Sequence, residues 1–209
     1  EVGLSDLGEW MNLRIYFPEE FNLTPSDGNT LGLRLECFNS VDGSSRLVIL
    51  LGWIRFICSN GMVIGETKAE IRDIHNANMD LSPIPEIIKV GLEKVKNDRR
   101  RIHYWEKRLI PESKWVGWIN GNLSKKWGKK AACRTFHICD HGHDVEFSDP
   151  FATGEATEKP VRNVERVAGA PEKATNLYDV AQALSWIATN RTNADRRLEW
   201  QSQIPNLLD

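Results

Sequence analysis

The sequence predicts an α+β fold: a hairpin-rich antiparallel sheet of four to five strands packed against a long basic helix, with a C-terminal helical segment. Three observations predict it. Leu31, Leu33, Leu35 and Cys37 alternate with Arg34 and Glu36, the period-two pattern of a half-buried strand. Residues 46–58 are apolar on both faces and are bounded by two turn signals, Asn39-Ser40-Val41-Asp42-Gly43-Ser44-Ser45 and the Asn60-Gly61 pair. From Ser82 onward the apolar residues switch to helical spacing: Ile84, Ile87, Ile88, Gly91, Leu92 and Val95.

In chain order, residues 9–17 alternate weakly through Met11, Leu13, Ile15 and Phe17 and read as a first strand ending before Pro18. The Pro25-Ser26-Asp27-Gly28-Asn29 loop lets that strand pair with residues 31–38. The Asn60-Gly61 pair favours a type I′ turn that folds residues 62–65 back beside 54–58. Arg55, between apolar neighbours on a two-sided strand, needs a buried partner. Residues 67–75 suit an edge strand. Glu66, Glu70, Asp73 and His75 could ligate Mg²⁺ there, but an ordinary edge strand explains them better.

The helix opened by Ser82 and Pro83 continues through Ile102, Trp105 and Leu109 until Pro111. A second helical stretch follows, with Trp115, Trp118, Ile119 and Asn122 on one stripe and an end or bend at residues 121–124. Residues 131–139 read equally as strand or short helix. Residues 152–175 contain almost no large apolar side chain and read as a long loop. Asn176 then caps an amphipathic helix through Leu184 and Ile187, residues 190–192 break it, and residues 193–208 give a last helical piece. The expected organisation is an α+β core with a basic helical segment over residues 1–151, a loop or flexible excursion over 152–175, and C-terminal helices over 176–209 that pack back on the core.

With 209 residues, 41% of them hydrophobic, the chain can bury a sizeable core. No apolar run approaches the roughly 20 residues needed to cross a bilayer, and residues 1–6 lack the basic start and apolar core of a signal sequence. A soluble, cytoplasmic protein without membrane contact is expected. The four cysteines Cys37, Cys58, Cys133 and Cys139 are too few for a disulfide framework, so buried reduced thiols are expected.

The net charge of −2 hides a segregation: residues 86–134 carry 14 Lys and Arg against 5 Asp and Glu, and the remaining residues carry 13 against 24. Such asymmetry points to an anionic partner. Arg99, Arg100, Arg101, Lys125, Lys126, Lys129, Lys130 and Arg134 have the charge to neutralise phosphates, and Trp127, embedded in lysines, is expected to be exposed and to stack on bases. Trp105, Trp115 and Trp118 fall on apolar stripes and are expected in the core. A solvated helix face explains the charges of the long helix equally well.

Cys133, His137, Cys139, His141 and His143 form the densest cluster of soft ligands. On a strand over residues 135–143, His137, Cys139, His141 and His143 would project to one side and suit zinc, although their spacing matches no common zinc-finger pattern. Packed cysteines and surface histidines are the simpler expectation, and no other cofactor is implied. No nucleophile elbow, phosphate loop or dinucleotide fingerprint is present, which makes catalysis the weaker class.

The turn at 39–45, the Arg55-to-Gly65 hairpin containing Cys58-Ser59-Asn60-Gly61, and Arg72-Asp73-Ile74-His75 together resemble the phage/plasmid-like protein family, domain of unknown function 932. The Trp127-Gly128-Lys129-Lys130 run and the Tyr178 helix are similar to that family's later segments. The resemblance implies a protein of phages, prophages or plasmids, often encoded among genes for DNA repair and anti-restriction, and it supplies no catalytic residues. The element order is also similar to phage single-strand annealing proteins, which form rings on single-stranded DNA. A non-catalytic, oligomeric nucleic-acid-binding protein, acting on single-stranded DNA in recombination or repair, is therefore the expected function. The competing class is a counter-defence protein that binds and blocks a host nuclease complex.

Overall fold

The computed structural model describes residues 1–6, 8–40, 47–55, 61–62, 82, 84–147, 160–190 and 194–209. The chain divides into two compact units, Glu1–Ile102 and His103–Asp209. Among the described residues, no helix is long and apolar enough to cross a membrane.

The first unit is built on a five-stranded antiparallel sheet whose strands lie in chain order: β1 (Val2–Leu4), β2 (Trp10–Tyr16), β3 (Leu31–Ser40), β4 (Val48–Arg55) and β5 (Gly61–Met62). Leu13 pairs with Cys37 and Leu35 with Leu51, so the alternating apolar residues of three strands meet on one face. On that face Leu35, Leu47 and Ile49 are buried, and Phe17, Cys37, Leu51, Ile84 and Ile88 pack around them. The last two belong to helix α1 (Ile84–Lys107), which covers the sheet as its period-3.6 stripe requires. Gly91 packs against Leu51. A Cβ built there would come within 2.6 Å of a Leu51 methyl, so the missing side chain lets α1 approach β4 closely at this point.

Two details depart from the sequence reading. Arg34 and Glu36 do take the opposite face, but Glu36 is buried rather than solvated. It accepts hydrogen bonds from Arg34 Nη2 at 2.6 Å, Arg14 Nε at 3.0 Å and Asn12 Nδ2 at 2.9 Å, a network spanning β2 and β3. Burial alone would raise the Glu36 carboxyl; Arg34, Asn12 and Arg14 outweigh it and hold the group below the ordinary carboxylate range. The second detail concerns the hairpin. Gly61 pairs with Ile54 and Met62 with Trp53, so Gly61 is a strand residue and not the second residue of the expected Asn60-Gly61 turn. The turn at 41–46, the edge strand at 67–75 with its candidate Mg²⁺ ligands, and Cys58 lie outside the described residues, as does the side chain of Arg55.

The second unit is mostly helical. It contains α2 (Glu112–Trp118), a π-helical turn (Ile119–Leu123), α3 (Ser124–Trp127), α4 (Lys129–His141), α5 (Leu177–Thr189) and α6 (Ala194–Leu208), with one hairpin of β6 (His143–Phe147) and β7 (Pro160–Arg166). Trp105, Leu123, Ile138, Tyr178, Leu184 and Ile204 are fully buried here. The cap expected at Asn176 forms as a full capping box: its side chain accepts from the Asp179 N–H at 3.0 Å while Asp179 accepts from the Asn176 N–H at 3.3 Å.

In this unit two open readings are resolved and one expectation is corrected. Where an end or bend was expected over residues 121–124, the helix passes through a π turn over Ile119–Leu123 and continues as α3 from Ser124. Residues 131–139, ambiguous in sequence, are helical. The stretch 152–175, expected as loop, contains β7. Its apolar residues Val161, Val164 and Val167 recur every third position and so hide from a period-two search. The register explains how a strand carries them: pairing skips Val164 and then Val161, two bulges that each reset the alternation. Residues 152–159 lie outside the described residues.

The Gly91 contact is testable. Replacing Gly91 with Leu overpacks the interface and should lower stability by about 1–3 kcal/mol, read as a shifted urea midpoint, and adding Leu51→Ala should recover part of the loss. An unshifted midpoint in Gly91→Leu would contradict the packing of α1 on β4.

Candidate nucleic-acid interface

The nine residues expected to meet a nucleic acid divide by what they touch. Arg99 donates through Nη2 to the carbonyls of Glu20, Phe21 and Asn22 at 3.3, 3.1 and 3.1 Å, tying a 3₁₀ turn (Glu19–Phe21) to α1. Its charge is used inside the first unit. Arg101 lies 4.0 Å from Asp98 one turn back on α1, whereas Arg100 is exposed.

Arg134 is likewise committed. Its guanidinium grips Asp144 with both arms, Nε donating to Oδ1 at 2.8 Å and Nη2 to Oδ2. Asp144 is buried and also accepts from Trp186 Nε1 at 3.0 Å and from the Val145 N–H at 2.8 Å. Burial pushes the Asp144 carboxyl up, but the bonds from Arg134 and Trp186 outweigh it and hold the group below its ordinary value. The pair anchors α4 to β6 and α5, and it is not available to a ligand.

Trp127 is the largest correction. Expected in solvent, it is only 4% exposed, stacked on Trp200 with ring centroids 4.3 Å apart and planes 13° apart, and its Nε1 donates to Gln203 Oε1 at 2.8 Å. The signal for burial was present in the sequence, since Ile119, Leu123, Trp127 and Ala131 recur every four residues and all four are buried. The flanking lysines masked that stripe. Trp105 is fully buried as expected, donating to Asp209 Oδ1 at 3.1 Å, and Trp115 and Trp118 are half-buried and stacked on one another.

What remains in solvent, besides Arg100, is the run around Trp127. Lys125 and Lys126 in α3, and Lys129 and Lys130 at the start of α4, are all exposed. Gly128 joins the two helices at φ 87° and ψ 163°, a backbone conformation that only glycine adopts without strain. Its N–H donates to the Ser124 carbonyl at 3.0 Å and its own carbonyl accepts from Ala132 at 3.1 Å, so the turn closes on both sides. Four cations are thus displayed on a sharp corner whose central side chain is locked into the core.

The candidate zinc ligands are scattered by the same helix. On α4, Cys133, His137 and His141 follow one another at four-residue spacing, and the rings of His137 and His141 are 5.8 Å apart. Cys139 turns into the core, where burial pushes its thiol up, assisted by Asp179 and Asp140. His143 opens β6 with Nδ1 2.8 Å from the His141 carbonyl. The single-sided projection required a strand over residues 135–143. Among the described residues, no group of three or more His, Cys, Asp or Glu side chains is placed to hold a metal ion. Burial, with His141 beside it, keeps the His137 imidazole below its ordinary pKa. The described cysteines Cys37, Cys133 and Cys139 are free thiols, and burial raises all three.

One aromatic of the basic segment escaped the sequence reading. Tyr104 is 51% exposed. Its signal was local: Lys107 and Arg108 follow at three and four residues, the spacing that places side chains together on a helix.

An antiparallel sheet with a long covering helix, followed by a helical unit that presents lysines at a glycine corner, defines an α+β protein with a cationic surface. The family model for the Domain of unknown function (DUF932) matches residues 22–192, most of the chain, and the protein belongs to that family. No curated protein and no solved structure matches it.

If Trp127 is a core residue, Trp127→Ala should destabilise the protein by about 3–5 kcal/mol, seen as a lower urea midpoint, although every lysine is retained. A loss within about 0.5 kcal/mol, the range of surface changes, would contradict its burial.

Proposed function

We propose that this protein binds nucleic acid without acting on it, through phosphate contacts made by Lys125, Lys126, Lys129 and Lys130. The observation that supports this reading is the corner at Gly128, where four exposed lysines surround an indole that is buried. Lysine is a hydrated point charge suited to phosphate oxygens, and neutralising phosphates releases condensed counterions. With Trp127 buried, this surface recognises the backbone and not the bases. Binding here is therefore independent of sequence and strongly salt-dependent. In keeping with the family resemblance, the partner we favour is the DNA of a phage or plasmid during recombination or repair, including its single-stranded form.

Charge reversal tests the surface. Changing Lys125, Lys126, Lys129 and Lys130 together to Glu should abolish binding of labelled DNA at low salt while leaving the circular dichroism spectrum unchanged, because all four side chains are exposed. Unchanged affinity in the folded variant would rule this surface out.

A further inference from the structure

We propose that Tyr104 stacks on an unpaired base and that Lys107 and Arg108 hold the phosphates beside it, making the end of α1 a single-strand subsite. The inference rests on the nucleic-acid-binding reading above and adds to it the class of strand. Among the aromatic residues of the basic segment 86–134, Trp105 and Trp127 are buried, Trp115 and Trp118 are half-buried against one another, and Tyr104 alone is exposed.

The surroundings of the ring have the composition of a stacking site. Ile102 and Trp105 are buried, which fixes the rotation of this turn and leaves Tyr104 in solvent. Lys107, one turn on, is exposed. Arg108 directly follows the last helical residue and is exposed as well; its backbone is held by the Leu177 N–H donating to its carbonyl at 3.0 Å. Neither cation is paired with a described carboxylate. The neighbouring acid, Glu106, instead faces His103, with His103 Nδ1 3.4 Å from Glu106 Oε2. A solvated helix face accounts for the cations alone. It does not account for a large aromatic ring kept in water three and four residues before them in the chain, with no hydrogen bond to another described residue. Every base offers a π-face, whereas in a duplex those faces are occupied, so an aromatic flanked by cations selects unpaired strands.

The test compares a labelled thymidine homopolymer with a duplex of equal length, by fluorescence anisotropy on the full chain. Tyr104→Ala should weaken binding of the single strand about 5- to 100-fold and leave the duplex unchanged, while Tyr104→Phe retains wild-type affinity for both. Lys107→Ala with Arg108→Ala should weaken the single strand and reduce the salt dependence of its binding. Equal loss on both DNA forms in Tyr104→Ala would overturn the subsite. So would no loss on either, while the lysine-to-glutamate variant still fails to bind. In both of those cases the phosphate-binding reading stands. A wild-type protein that binds neither DNA form at low salt would overturn the reading and the subsite together.

Discussion

Trp127 lies between two pairs of lysines, yet its ring is stacked on Trp200 and its indole N–H is bonded to Gln203. That contact is the constraint from which the rest of the candidate surface follows. Burying an indole removes roughly 150–250 Å² from water, about 4–6 kcal/mol at ordinary area coefficients. Crowded lysine charges in high dielectric repel by about 1 kcal/mol or less per pair. Burial therefore decides where the run lies, and the lysines are left to face outward around the ring they flank. Gly128 supplies the backbone conformation that lets α3 and α4 meet at so short a corner.

The same competition between burial and charge sorts the arginines. Arg99, Arg134 and the Arg14–Arg34–Glu36 network are drawn inside because a guanidinium can satisfy several carbonyls or a carboxylate at once, repaying its desolvation. Lysine, a compact and strongly hydrated charge, repays it less readily. The corner at Gly128 is accordingly a lysine surface, although the sequence lists both residue types in the basic segment.

Elements with a single clear period were legible in the sequence. β2 and β3 show the period of two, β4 an unbroken apolar run between turn signals, α1 and α5 the period of 3.6, and Asn176 announced its own helix. Elements where two signals overlap were not. The stripe through Leu123 and Trp127 was hidden by lysines of the opposite character. β7 carries its valines at period three because two bulges interrupt it, and α4 mixes alanine, cysteine and histidine without a strong period. Glu36 looked solvent-facing because alternation reports which face a side chain takes, not whether that face is closed by an ion network. Of the candidate site, the lysines were legible as a charge run. Which residues would be exposed was not, since that depends on contacts such as Trp200 that lie more than seventy residues away in the chain.

If phosphate contact by a lysine corner is the central property of this protein, its signature is thermodynamic. The logarithm of the association constant for duplex DNA, plotted against the logarithm of salt concentration, should fall with a slope of about −3.6, corresponding to four neutralised phosphates at roughly 0.9 counterions each. A slope near zero would contradict it.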